Sequence, residues 1–129
     1  MAFGRQTDDT LVKPLGGAIV RRYNAGAVVE AGEAVYIDSN GAVQPTNAGA
    51  VATNFAIGVA LQDVASGARV DVVKFGPVVC ILEGTPGGII YTTDTAGEPG
   101  TTAGTKKTVL GVAESATVLF VDPYMVDFV

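Results

Sequence analysis

Three observations predict an all-β fold for this 129-residue chain. It holds 20 Val and 13 Thr against 6 Leu and 6 Ile, and β-branched side chains suit a pleated, half-buried surface better than a helix. Its 17 Gly and 6 Pro cut the sequence into short apolar runs of strand length. The same order of strand and turn phrases then occurs twice. The expected organisation is a polar, extended arm over residues 1–14 and one β-domain over 15–129, built from two similar halves.

The arm ends at Pro14 and is expected to be ordered only by docking on something else. Ala18 to Tyr23 reads as the first strand, and Ala34 to Asp38 as the second. Asn40-Gly41 follows, between apolar segments, and predicts a tight hairpin because both residues tolerate positive φ. Residues 46–54 are small and polar, and read as a loop. Phe55 to Leu61 is a strand with Gly58 inside it, the mark of a bulge or a close backbone approach. Arg69 to Phe75 alternates until Val73, and Gly76-Pro77 separates it from Val78 to Leu82. That last run has no polar face, so both of its sides should be covered.

The second half answers the first. Gly87 to Tyr91 matches Gly32 to Tyr36 at an offset of 55, and Leu110 to Ala113 matches Ile57 to Ala60 at an offset of 53. Val118 to Val121 matches Val70 to Val73 at an offset of 48. Asp94 to Thr105 reads as a surface loop. The tail, Tyr124 to Val129, reads either as a closing strand or as an apolar segment that docks on a partner.

Composition argues against several functions. The net charge is −5, so no basic face for nucleic acid is expected. Residues 1–22 sum to +2, with Arg5, Lys13, Arg21 and Arg22, while the remainder sums to −7: a mildly basic arm on an acidic body. There is no His, which removes the commonest general base and zinc ligand. Cys80 is the only cysteine, lies in an apolar run and is expected to be an inert buried thiol. No stretch approaches the ~18 apolar residues of a spanning helix, and the N-terminus lacks the apolar core of a signal peptide. A protein without membrane contact, assembled in a reducing cytoplasm, is the expectation.

Candidate chemistry is thin. Ser39, Ser66 and Ser115 sit in predicted turns without a neighbouring base. Asp38, Asp63 and Asp94 also lie at turns, where Asp bonds its own backbone. Glu30 and Glu33 are too sparse for a calcium loop. Gly84 to Gly88 lacks the Lys and helix start of a phosphate cradle. No catalysis, cofactor, metal or small-molecule substrate is expected. Val28 to Val35 is similar to the first hairpin of lipoyl and biotinyl carrier domains, with Lys106-Lys107 as the modifiable position, but Thr105 and Thr108 replace the hydrophobic flanks.

The ordered set Gly32 to Asp38, Ala56 to Ala60, Val70 to Val72, Gly76 to Val79, Gly111 to Ala113 and Val118 to Val121 resembles the tailed-phage capsid cement, or head decoration, proteins over residues 25–122. Lambdoid head decoration proteins are a looser likeness, through Lys74-Phe75-Gly76. The resemblance implies a small β-barrel or β-tulip, usually a homotrimer, made in the bacterial host cytoplasm and bound to the outer capsid surface. There it would bridge subunits of the major capsid protein. On this reading Arg5, Lys13, Arg21 and Arg22 are the candidate capsid-binding residues, and Val78, Val79 and Ile81 the candidate trimer contact. A tail or baseplate β-domain is the alternative within the same class.

Overall fold

The computed structural model describes residues 2–126. It is nearly all β, a strongly curled antiparallel sheet that forms a half-barrel. In chain order the strands are β1 (Gly4–Arg5), β2 (Lys13–Pro14), β3 (Ile19–Asn24), β4 (Ala34–Ile37), β5 (Val43–Pro45), β6 (Ala56–Ala60), β7 (Arg69–Val79), β8 (Ile81–Leu82), β9 (Ile89–Thr92), β10 (Pro99–Gly100), β11 (Thr108–Ala113) and β12 (Val118–Met125). The order across the sheet is β10-β9-β11-β12-β7-β6-β4-β5, so two four-stranded halves of matching order meet where β12 pairs with β7. β1 pairs with β8 in a separate small ladder, and β2 and β3 pair with successive stretches of β7.

The internal repeat is visible residue by residue. Val35 pairs with Gly58, and Tyr36 with Ala56. Ile90 pairs with Gly111, and Tyr91 with Val109, at the same two offsets. In both copies the ladder skips one residue just before the glycine, Ile57 in one and Leu110 in the other. The reason is a close approach. A Cβ on Gly58 would strike the Val73 carbonyl oxygen, and one on Gly111 would strike that of Phe120.

The third offset is corrected by one residue. Val59 pairs with Val73 and Val112 with Phe120, so the last strands are related by 47 positions, not 48. The sequence could not show this, because Val72 and Val73 are both buried and apolar, leaving no alternation to anchor the register. β7 also carries an irregularity opposite Ile19 and Val20, which skips Lys74.

Three other expectations change. β7 runs through Gly76-Pro77 instead of ending there, with Gly76 at φ +113° bending it. Asn40 does not take positive φ; only Gly41 does, at +80°, because Asp38 accepts from the Asn40 and Ala42 N–H groups and builds the turn itself. The arm is not free. Gly4 pairs with Leu82, the Gln6 N–H donates to the Cys80 carbonyl at 2.9 Å, and Lys13 pairs with Val79. Phe3 packs on the core and Val12 is 7% exposed, so two apolar anchors hold the segment against its own body. Of the tail, Tyr124 and Met125 close β12, and residues 127–129 lie outside the described region.

Two cores result. The larger gathers Ala34, Val59 and Val73 from the first half with Ile90, Leu110, Ala113, Leu119 and Val121 from the second. The smaller lies on the reverse face of the first half, where Ala25 and Val29 cover Val35, Val43, Ala60, Val70 and Val72. Each fully buried Val or Leu contributes about 1.5–3 kcal/mol relative to exposure. The halves are also tied by Asn54, whose side chain donates to the Lys106 carbonyl at 2.7 Å and to the Thr108 hydroxyl at 2.8 Å, and accepts from Thr92.

Candidate functional site

The four basic candidates separate: Arg5 is buried, Lys13 lies opposite Val79 at one end of β7, and Arg21 and Arg22 lie opposite Val72 and Asp71 toward the other end. Arg5 is withdrawn from solvent, its side chain only 8% exposed. Its Nε donates to Glu98 at 2.6 Å, Nη1 to the Ala31 carbonyl at 2.8 Å and Nη2 to Glu30 at 3.2 Å. Burial opposes its charge, but the hydrogen bond and charge of Glu98, with the charges of Glu33 and Glu30, outweigh that and hold it above its ordinary value. Its role as a capsid contact is therefore corrected: Arg5 fastens the N-terminal segment to this chain's own body.

Lys13, Arg21 and Arg22 remain exposed, on β2 and β3. β3 pairs only with β7 among the described residues, so its other edge is open. Arg21 and Arg22, adjacent in sequence, point to opposite faces of the strand. The Arg21 guanidinium lies 5.8 Å from the centre of the Tyr23 ring. Arg22 Nε donates to Asp71 at 3.0 Å. That hydrogen bond, with one from the Gln62 amide and the charges of Arg22 and Arg69, holds the Asp71 carboxyl below its ordinary value against the effect of burial. Lys74 joins the group, its ammonium 5.9 Å from the same Tyr23 ring. Sequence alone uses Lys74 only in the Lys74-Phe75-Gly76 likeness, because its approach to Tyr23 arises from the pairing of β3 with β7.

The expected trimer contact is also corrected. Val78 and Ile81 are 0% exposed inside the chain's own core, so their side chains face no neighbour. Val79 is half-buried and pairs with Val118 and Lys13 on the outward face of the sheet.

Other candidate chemistry finds structural employment. Asp63 accepts from the Ala31 N–H at 2.8 Å, and Asp94 from the Thr105 N–H at 2.9 Å and its hydroxyl at 2.6 Å. Among the described residues no His, Cys, Asp and Glu side chains gather as a metal site. An open hollow of about 400 Å³ is lined by Val28, Val29, Glu30, Asp63, Val64 and Ala65. No helix among the described residues is long and apolar enough to cross a membrane. The Lys106 N–H donates to the Ala48 carbonyl at 2.8 Å and Lys107 stacks on Tyr91, so the lysine pair does not form the free hairpin tip a carrier domain presents. Burial pushes the Cys80 thiol up to about 12. A thiol reagent should leave Cys80 unmodified in the native protein and label it once the chain is denatured. Rapid native labelling would show that it is not in the core.

No protein-family model matches the chain, and no curated protein sequence matches it.

Proposed function

We propose that the chain is a structural protein of a bacteriophage virion. It binds the outer capsid surface, bridges major capsid protein subunits and stabilises the expanded shell, as a homotrimer and without catalysis. The observation that carries this reading is the open edge of β3, a six-residue strand bearing Arg21 and Arg22 on an otherwise acidic chain. An unpaired strand edge can accept a strand from another protein through main-chain hydrogen bonds. Two arginines on that edge discourage pairing with a second copy of itself and favour an acidic partner strand. The ordered phrases over residues 25–122 and the curled all-β sheet support the same reading.

Binding across a subunit junction stabilises the closed lattice by mass action, and several linked copies bind with avidity. Mixing the purified protein with expanded shells should raise the melting temperature of the shells. An unaltered melting temperature would remove the reading. The double substitution Arg21→Glu, Arg22→Glu should weaken shell association by more than ~1 kcal/mol, roughly fivefold or more. Equal affinity would leave the two arginines as ordinary surface charges. Deleting residues 1–14 is not a clean test, because Phe3, Arg5 and Val12 are part of the folded body.

A further inference from the structure

The two halves do not meet through equivalent surfaces. In the first, Ala34, Val59 and Val73 lie side by side across β4, β6 and β7, each 0% exposed in the larger core. By register, their counterparts in the second half are Ile89, Val112 and Phe120. These do not enter that core. The second half turns its reverse face inward instead, with Ile90, Ala113 and Leu119. The front face of one half thus shares a core with the reverse face of the other, and the front face of the second half is left over.

The leftover face is bulkier than its buried counterpart, with Ile, Val and Phe where the first half has Ala, Val and Val. Ile89 is 46% exposed, Val112 40%, and Phe120 is half-buried. The row continues across the sheet. The Phe75 ring, in a residue 43% exposed, meets that of Phe120 edge-on at 5.1 Å, and Ile19, 56% exposed, pairs with Phe75. The outward face of an antiparallel sheet in water normally carries polar residues. The exposed parts of these five side chains amount to on the order of 400 Å², enough for the apolar centre of an interface of about 800 Å² per partner.

We infer that this row is where further copies of the chain dock. The same front face in the first half is already covered by a sheet of this fold, so a sheet from another copy has the spacing and twist to cover it. The row itself holds no charged side chain, and the nearest carboxylate on the same face of β12, the exposed Asp122, lies at its margin. The reverse face of the first half is sealed by Ala25 and Val29. The row of one copy therefore meets the rows of other copies and not the reverse face of a neighbour's first half.

This inference rests on the self-association in the reading above and not on the shell. Light scattering on the purified full chain, without shells, tests it. The wild type should be oligomeric. Val112→Glu and Ile89→Lys, both at exposed positions, should each raise the dissociation concentration at least tenfold with an unchanged circular dichroism spectrum; either reads the interface if the other misfolds. Val28→Glu, at a residue 64% exposed beside the smaller core, should leave the mass unaltered. A monomeric wild type, or an oligomer indifferent to both front-face substitutions, overturns the inference. A monomer that loses shell binding on Val112→Glu assigns the row to the shell protein and also overturns it, while the capsid reading survives without its trimer. An oligomer held by this row that leaves shells unstabilised supports the inference and ends the capsid reading.

Discussion

Gly111→Ala should cost about 3 kcal/mol, at the upper end of overpacking penalties, and lower the melting temperature by roughly 10 °C or more. The new Cβ would sit against the Phe120 carbonyl, with Val121 Cα 3.2 Å away. Both are backbone, so no side chain can swing aside; β11 and β12 must part. Gly58→Ala should behave alike, since its Cβ would meet the Val73 carbonyl and the Val72 side chain at 2.8 Å. Gly16→Ala is the control. Nothing lies within 4 Å of its Cβ position, so its melting should stay level or rise slightly. Thermal unfolding of the three variants reads the result. Losses below ~1 kcal/mol at both bulges would mean that the opposing strands do not approach as described.

Arg5→Ala should cost about 2 kcal/mol, less than a fully buried pair because Glu30 and Glu98 keep some water. The loss has a pH dependence with a definite sign. Burial first, then the charges of Glu30 and Glu98, raise the Glu33 carboxyl above its ordinary value, while the Glu30 N–H and Arg5 lower it. A carboxyl raised on folding contributes stability that is full below its unfolded value and is lost as pH rises through its folded value. Removing Arg5 raises Glu33 further and widens that window. The defect of Arg5→Ala should therefore be smaller in mild acid than at neutral pH. Arg5→Lys should fall between, retaining the charge but losing the fork that engages Glu98, Glu30 and the Ala31 carbonyl together. Urea unfolding at two pH values, with limited proteolysis of the N-terminal segment, checks both points. A defect constant across pH would show that Arg5 does not act on Glu33.

The strand content, the bulge glycines and two of the three repeat offsets could be read from the residues alone. Those signals are local: β-branched runs between turn formers, and a glycine wherever a neighbouring strand leaves no room for Cβ. Fates that depend on distant partners were not legible. Arg5 is charged and near an end, which suggests a solvent contact, yet Glu98 lies 93 residues away and captures it. Val78 and Ile81 look the same in sequence whether they meet a core or a neighbour. Sequence also determined that Val78 to Leu82 has no polar face and needs cover on both sides. Only the tertiary structure decided which faces are covered, because curling brings the front of one half onto the back of the other and leaves Ile89, Val112 and Phe120 outside.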